Sequence, residues 1–482
     1  MFVGRKEQLT ALSQLWSKRT SSLVTCRGRR RIGKSTLIEE FARRTADRFI
    51  NIVGIPPRKG MTDRAQRSNF CAELSDQTGA DVPLAKNWTE AFRSLDAAIP
   101  PIGRTVVLLD EISWMGSRNP DFAGFLKTAW DKRLKKHDNL VLVLCGSVSS
   151  WIAENILDST GFVGRDSLDL NVGELSLAES VAMFGMAGQR LSSRELFDIL
   201  SITGGVPKYL EEIRPEWSVE ENMRQLCFMP GGTLFREFDE TFSAVFGRRA
   251  SSRGDALRML ADAPLSVAEL ARAMRKTPGG KLTRTLRDLE YAGFVGKDSG
   301  LNPQTGEPLR VERYRIKDNY TRFYLHYVEP RRRTIEKGLF KFASLGQLKG
   351  WDVMLGLQFE NLVLNHVEDL FPLLGLSRSL VLSAAPYMRP ARKGVRGCQI
   401  DLLIQTERMA LVVEIKRRKD SGHGIIDEVK AKVDALEVSK DRSIRTALVY
   451  DGNLSPSVEA DRYFDFVVDA ADLLRSSHVP SP

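Results

Sequence analysis

The chain has 482 residues, of which 42% are hydrophobic and 27% are charged, which is a globular composition with length for roughly three or four domains. No apolar run approaches the roughly 18 residues of a membrane span, and no signal-peptide pattern opens the chain, so we expect a cytoplasmic protein. The five cysteines are scattered and are expected to be buried free thiols, not disulfide or zinc ligands. The net charge of +10 suits either a polyanionic partner or a merely basic surface.

A phosphate-binding loop is the first functional signal in the chain. The apolar run 22–26 leads into a loop that fits G-x-x-x-x-G-K-[ST], and a helical pattern follows. In such a loop the glycines let backbone N–H groups face phosphate oxygens, and the helix N-terminus adds positive potential. We expect Lys34 to reach the β- and γ-phosphates and Ser35 to ligate Mg²⁺. The nucleotide-binding residues predicted in this segment are Gly28, Arg31, Gly33, Lys34, Ser35 and Thr36.

Two further apolar runs supply partners for this loop. The run 105–109 suits a buried parallel strand and ends at Asp110, which is predicted to hold Mg²⁺ and contact the nucleotide site. Glu111 follows and is predicted to polarise the attacking water. The run 139–147 ends at Ser147, which either senses the γ-phosphate or is simply a serine at a strand end.

These segments, together with FVGR at residues 2–5 and CGS at residues 145–147, resemble the archaeal-type ATPases of the AAA+/STAND group. The acidic residue after FVGR, Glu7, stands one place later than in that family. The resemblance implies that Arg165 stabilises the transferring phosphoryl group, although a structural ion pair is an equal alternative. It also implies that Pro207, in TGGVPKYL, packs near the base of the nucleotide.

The segment after Phe246 shows three helical patterns and then two extended runs, which is the order of a winged helix. Leu282, Leu286 and Leu289 fall at helical spacing on the third helix. The opposite face is basic and either enters the major groove of DNA, with the wing on phosphates, or only solvates a protein-contact module. The DNA-binding residues predicted on this face are Lys281, Arg284 and Arg287.

The stretch GCQIDLLIQTERMALVVEIKRR, residues 397–418, is predicted to form a hairpin that turns near residues 407–408. That register sets Asp401 opposite Glu414, and Lys416 shares a face with Glu414. Opposed buried carboxylates repel, and a divalent cation together with Lys416 would offset the repulsion. The pattern therefore predicts a metal-dependent phosphodiesterase in which Lys416 orients, or helps to deprotonate, the attacking water.

Asp401 followed by Glu414-x-Lys416 resembles the PD-(D/E)xK nuclease superfamily, and the similarity covers about residues 351–470. The resemblance adds Glu360, on an upstream amphipathic helix, to the metal ligands Asp401 and Glu414. The usual proline before the aspartate is absent, since Gln399 and Ile400 stand there. A fold that has lost its activity is the alternative to an intact nuclease. His366 and His423 are expected to be packing or surface residues.

The combination resembles archaeal-type ATPases that carry a restriction-endonuclease-like C-terminal domain. We predict an α/β protein that uses ATP and Mg²⁺, associates with DNA and acts in DNA processing or defence, with ATP gating the nuclease-like domain. The alternative is a STAND-type switch that assembles into a homo-oligomer under nucleotide control and has an inert C-terminal domain. The predicted domains are an ATPase core (1–170), a helical lid (171–245), a winged helix (246–330), a basic linker (331–350) and a nuclease-like domain (351–482).

Overall fold

The structure, a computed structural model, describes residues 2–58, 60–147, 149–341, 344–391 and 396–475. Its contacts divide the chain into two units, Met1–Gly173 with Tyr291–Gly293, and Glu174–Glu290 with Phe294–Pro482. All five cysteines are buried free thiols, as the sequence predicts. Within the described ranges, no helix is both long and apolar enough to cross a bilayer.

The first unit is built on a five-stranded, all-parallel sheet with the strand order β2-β3-β4-β1-β5. Its three central strands are mostly apolar; β3 and β4 are buried along their whole length and β1 is buried except at Arg27, as expected of a parallel sheet covered on both faces. The strands are β1 (Ser22–Arg27), β2 (Arg48–Val53), β3 (Thr105–Asp110), β4 (Leu140–Gly146) and β5 (Asp166–Asn171). The helices are α1 (Lys6–Gln14), α2 (Lys34–Thr45), α3 (Asp63–Thr78), α4 (Trp88–Ala98), α5 (Ile112–Met115), α6 (Phe122–Lys132) and α7 (Ser149–Ile152).

The phosphate-binding loop joins β1 to α2, as the sequence predicts. Gly33 precedes α2 in the left-handed region with φ 84°, and Gly28 has φ 150°. A Cβ atom added to Gly28 would lie 2.3 Å from the carbonyl oxygen of Val172, which follows β5. Only glycine lets the start of the loop approach that neighbouring chain segment so closely.

The second unit contains two sheets. A small antiparallel sheet has the order β6-β8-β7, and a five-stranded mixed sheet has the order β13-β12-β11-β10-β9. In the mixed sheet β9, β10 and β11 are antiparallel neighbours, whereas β11, β12 and β13 are parallel. The strands are β6 (Leu265–Ser266), β7 (Val295–Asp298), β8 (Arg313–Ile316), β9 (Ser383–Arg389), β10 (Cys398–Gln405), β11 (Met409–Ser421), β12 (Ser443–Leu454) and β13 (Phe466–Asp469).

Along the chain, the helices of the second unit lie before and between these strands. They are α8 (Leu177–Ala182), α9 (Gly185–Gly188), α10 (Ser193–Thr203), α11 (Pro207–Leu210), α12 (Val219–Cys227), α13 (Thr233–Phe246), α14 (Ala250–Leu260), α15 (Val267–Ala273), α16 (Gly280–Tyr291), α17 (Asn319–Phe323), α18 (Arg332–Glu336), α19 (Trp351–Asn365), α20 (Val367–Leu373), α21 (Gly424–Ala435) and α22 (Pro456–Asp461). The helices α14, α15 and α16 with the small sheet have the element order predicted for a winged helix, and that assignment stays a prediction. The segment predicted as a basic linker contains α18, whose Ile335 is fully buried.

The hairpin register agrees with the sequence prediction. Leu402 pairs with Val413 and Gln405 pairs with Ala410, so Asp401 and Glu414 fall opposite each other one residue further along. The hairpin is followed along the chain by α21 and then by β12, which pairs in parallel with β11.

The close approach at Gly28 predicts a large cost for a side chain there. Gly28→Ala is expected to lower the free energy of unfolding by about 2 kcal/mol more than Gly79→Ala, because a clash with Val172 adds to the backbone cost. Gly79 is a matched control, since it also has positive φ (70°) but nothing within 4 Å of an added Cβ. Urea unfolding of both variants measures the difference, and equal destabilisation would contradict the clash.

Candidate functional sites

The first candidate site lies at the C-terminal ends of β1, β3 and β4. The Lys34 ammonium is buried and donates to the carbonyl oxygen of Arg29, 2.9 Å away, inside the loop. The Ser35 hydroxyl donates to Asp110 Oδ2 at 2.6 Å. The structure therefore brings together the loop lysine, the loop serine and the strand-end carboxylate that the sequence predicted as one nucleotide and Mg²⁺ site.

Glu111 and Ser147 meet beside this site. The Ser147 hydroxyl lies 2.8 and 2.9 Å from the two carboxylate oxygens of Glu111, and the Ser147 backbone N–H also donates to Glu111. Glu111 has φ 48°, in the left-handed region, and its own N–H donates to Asp110 Oδ1. A non-glycine residue held in that region is uncommon, and such strain often accompanies functional positions. These bonds let Ser147 hold the orientation of the Glu111 carboxylate, which is predicted to polarise the attacking water.

Two arginines with no role predicted from the sequence make contacts at the loop: Arg5 donates to its backbone, and Arg30 belongs to it. Arg5 is buried, has φ 60°, and donates to the carbonyl oxygens of Ile32 and Gly173. The guanidinium of Arg30 lies 5.7 Å from the centre of the Trp114 ring, which follows β3. The FVGR sequence was the signal that pointed toward Arg5, whereas nothing local predicts the pairing of Arg30 with Trp114.

Four other predicted residues lie outside these contacts. Arg165 forms a two-point ion pair with Asp131 at 2.8 and 3.1 Å, and this bond is the main reason that the pKa of Asp131 falls to about 2. This geometry favours the structural ion pair over a role in phosphoryl transfer, which stays untested. Arg31, with φ 69°, and Thr36 are exposed beside the loop. In the other unit, Pro207 begins α11.

The second candidate site is the carboxylate pair on β10 and β11. Glu414 has no solvent exposure and Asp401 has 8%. Asp401 Oδ2 accepts the N–H of Ile415 at 3.0 Å, which holds its carboxylate across the hairpin. Two negative groups in the middle of an apolar sheet require positive partners, because burial of an uncompensated charge is costly.

Two lysines supply those partners. Lys416 Nζ lies 2.5 Å from Glu414 Oε1, and Lys432 Nζ lies 2.5 Å from Glu414 Oε2 and 3.3 Å from Asp401 Oδ1. Burial alone would lower the pKa of Lys416, but the charge of Glu414 raises it overall. A raised pKa keeps Lys416 protonated, so it suits orienting water or binding phosphate better than removing a proton. Lys432 was missed by the sequence reading.

Glu360 on α19 lines the same cavity, of about 720 Å³, as Asp401, Lys416 and Lys432. Burial is the main cause that raises the pKa of Glu360 to about 7, and the charge of Asp401 acts in the same direction. Within the ranges that the structure describes, no group of three or more His, Cys, Asp or Glu side chains is arranged to hold a metal ion. A three-carboxylate cluster of Glu360, Asp401 and Glu414 is thus not formed.

The residues nevertheless fit a hard divalent cation. Mg²⁺ commonly takes one or two carboxylates together with waters and substrate phosphate. Asp401 and Glu414 have oxygens directed to one point, since a single ammonium reaches both. In the first unit, Ser35 and Asp110 are a hydroxyl and a carboxylate in direct contact, which is the ligand chemistry that a nucleotide-bound Mg²⁺ uses.

The predicted DNA-contacting helix is α16. Its leucines at 282, 286 and 289 are buried, and Lys281, Arg284 and Arg287 are exposed on the other face. The loop that was predicted as the wing packs against the mixed sheet region: the carbonyl oxygen of Leu301 accepts from Gln405, and that of Pro303 accepts from Arg442 and the N–H of Ser439. These bonds hold the loop at Leu301 and Pro303, whereas Gln304 and Thr305 are exposed, so the contact of the wing with phosphates stays a prediction.

The pKa of Glu360 predicts a pH dependence of stability. The folded protein holds a proton on Glu360 up to about pH 7, whereas the ordinary value is 4.5, so the free energy of unfolding falls as the pH rises between these values. In EDTA, the free energy of unfolding of wild type is expected to fall by about 2–3 kcal/mol more than that of Glu360→Gln between pH 4.5 and 8. Urea unfolding at several pH values measures this. Glu407→Gln, at the exposed hairpin turn, is the control, and parallel curves for wild type and Glu360→Gln would contradict the prediction.

Comparison with known proteins agrees with the first site. Residues 2–213 match an ATPase domain found predominantly in Archaea. The uncharacterized protein MJECL04 of Methanocaldococcus jannaschii is 23% identical over 422 residues, which are 86% of this chain and 87% of that protein. The uncharacterized ATP-binding protein MJ0423 of the same organism is 46% identical over 41 residues, which are 8% of this chain and 70% of that protein.

Solved structures with a partial similarity include two archaeal proteins. The Walker-type ATPase PABY2304 of Pyrococcus abyssi has a TM-score of 0.46 and 17% identity, and the match covers 67% of this chain and 96% of that one. The ORC2 protein of Aeropyrum pernix has a TM-score of 0.41 and 15% identity, with coverage of 70% and 94%. Residues 2–213, which include the strand–loop–helix geometry around Lys34, are thus similar to the archaeal-type ATPase domain.

Proposed function

We propose that this ATPase associates with DNA and carries, in its C-terminal region, a metal-dependent nuclease-like site. The observation that carries the proposal is the burial of Asp401 and Glu414 side by side, with lysines on both, beside a cavity that Asp401 and the two lysines line. A purely structural sheet has no reason to bury two carboxylates and two ammonium groups, since apolar residues of similar volume are often equally stable or better.

The roles of the side chains follow from their positions. Asp401 and Glu414 would hold a divalent cation, which supplies polarisation of a phosphodiester and stabilisation of the leaving oxygen. Lys416, protonated and held by Glu414, would orient the attacking water or a phosphate oxygen in the cavity. Glu360, which lines the same cavity, would bind water or the cation.

DNA is the proposed substrate because the cavity and the chain both favour a polyanion. The chain carries a net charge of +10, and the exposed face of α16 presents three basic residues, Lys281, Arg284 and Arg287. Arginine and lysine side chains on an exposed helix supply phosphate neutralisation, which dominates DNA affinity. The setting that we propose is DNA processing or defence against foreign DNA.

The first unit would use ATP to control this activity. Lys34, Ser35 and Asp110 would bind the nucleotide and its Mg²⁺, and Glu111 would polarise the attacking water while Ser147 holds its carboxylate. Pro207 would contact the base, and Arg165 would act on the phosphoryl group only if its pairing with Asp131 opened.

A nucleotide-controlled switch of the STAND type is the second candidate function. The packing of the 301–303 loop against Gln405 and Arg442 favours it, because a wing used for an internal contact is typical of a protein-contact module. In that case the C-terminal site would bind a cation without cutting, and the protein would assemble into homo-oligomers with ATP.

Cleavage of plasmid and branched DNA with Mg²⁺ or Mn²⁺ tests the first proposal. Wild type is expected to cut the DNA. Cleavage by Glu414→Ala is expected to fall to background, because one of the two carboxylates that would hold the cation is lost. Glu407→Ala, on the exposed turn of the same hairpin, is the matched control and should cut like wild type. Absence of cutting by wild type on every substrate, with or without ATP, would favour the switch.

The role of ATP is tested in the same assay. If nucleotide controls the site, Lys34→Ala is expected to lose ATP turnover and to make cutting indifferent to ATP, whereas wild type responds to ATP. Glu111→Gln is expected to bind ATP but to turn it over about a hundredfold more slowly or worse, because the water is no longer polarised. Identical ATP responses of cutting in wild type and Lys34→Ala would contradict the coupling.

A further inference from the structure

Lys432 stands out because no motif predicts it and yet it touches both carboxylates of the second site. It lies 18 residues after Glu414, on α21. Ile425, Ile426 and Val429 are buried against the sheet, and Lys432 continues their stripe one turn further along the helix. Its ammonium therefore reaches the carboxylates of β10 and β11 from the helix that packs on these strands.

The position of the ammonium is the position that a cation needs. Lys432 Nζ is 2.5 Å from Glu414 Oε2 and 3.3 Å from Asp401 Oδ1, so it bridges one oxygen of each carboxylate. A divalent ion bound by the same two oxygens would sit about 2.0–2.5 Å from each. The two species cannot occupy this point together, for reasons of both volume and charge.

Lys416 does not compete in the same way. It contacts the other oxygen of Glu414, Oε1, at 2.5 Å, and its second acidic neighbour is Glu428 at 3.5 Å. The two lysines thus divide the two oxygens of Glu414 between them. Two lysine side chains therefore face two carboxylates in this cluster.

We infer that Lys432 is a built-in competitor of the divalent cation: its ammonium fills the site between Asp401 and Glu414 and must move away when the ion binds. The inference rests on the proposed metal site and specifies its regulation. Lys432 is a positioning residue, because it acts through the carboxylates. Once displaced, its ammonium remains beside a cavity of about 720 Å³, where a phosphate oxygen of the DNA backbone is the partner whose charge suits it.

Two consequences distinguish a competitor from a simple structural lysine. Removal of the Lys432 ammonium should lower the free energy of unfolding of the protein without bound cation, because only Lys416 then remains to compensate the two buried carboxylates. The same removal should strengthen cation binding, because no ammonium has to be displaced and a positive charge close to the ion is gone. A lysine that only packs, or one that helps the ion to bind, would not produce the second effect.

Mn²⁺ titration of the full-length chain by calorimetry is the test, without nucleotide and after EDTA treatment and removal of EDTA. The heat that remains in Glu414→Ala is subtracted as binding elsewhere. Lys432→Met is expected to bind Mn²⁺ at least about tenfold more tightly than wild type. Lys432→Arg, which retains the charge, should stay near wild type. Lys430→Met is the control and should not change the affinity, because Lys430 is an exposed residue of the same helix whose ammonium lies over the Tyr463 ring, 5.2 Å from its centre.

Thermal unfolding gives a second readout and covers the case of a poorly folded variant. In EDTA, Lys432→Met should melt below wild type, and Mn²⁺ should raise its melting temperature by more than it raises that of wild type. Equal or weaker Mn²⁺ binding by Lys432→Met, while wild type does bind at the Glu414-dependent site, would overturn the competitor role and leave the proposed function standing. Absence of Glu414-dependent binding in every variant would overturn both.

Discussion

The burial of Glu414 is the constraint on which the second unit depends. Its carboxylate lies at the centre of a mixed sheet with no solvent exposure, and Asp401 lies opposite on the neighbouring strand. The free energy cost of two such charges can be offset only by positive groups or a cation within a few ångströms. The positions of Lys416, on the same strand, and of Lys432, on the helix that covers the sheet, follow from that requirement.

The same strand also connects the mixed sheet to α10. Lys416 and its neighbour Arg417 on β11 both line the cavity. Arg417, whose side chain is 3% exposed, pairs with Asp198 of α10 at 2.5 Å and with Asp451 of β12 at 3.1 Å. Burial is the main cause that raises the pKa of both Asp198 and Asp451, against the pull of Arg417.

A second buried contact reinforces this junction. Gln358, two residues before Glu360 on α19, donates to the carbonyl oxygens of Ser201 and Asn319 and accepts from Arg322. Buried polar bonds of this kind add little net stability, but they fix one arrangement of the helices because any shift leaves polar groups unpaired. The cavity residues Glu360 and Lys416 thus stand next to residues that bind α10, the helix that leads into the TGGVP turn.

Much of this could be predicted from the sequence because its signals are local. The loop glycines, the strand-end Asp110 and the hairpin register that opposes Asp401 to Glu414 depend on spacing along short segments, and the structure places them as expected. Lys432 could not be predicted, because its role depends on how α21 crosses the sheet. The bond between the predicted wing and the rest of the unit could not be predicted for a similar reason, because only the fold sets Pro303 against Arg442.

The central claim is that Asp401 and Glu414 form a cation site, and anomalous diffraction from crystals grown with Mn²⁺ tests it most directly. The account predicts a manganese peak within bonding distance of one oxygen of each carboxylate, with the Lys432 ammonium moved out of the position that it holds between them. A peak that is absent there, while Lys432 still bridges Asp401 and Glu414 at high Mn²⁺ concentration, would contradict the account and leave the four charged groups as a closed structural cluster.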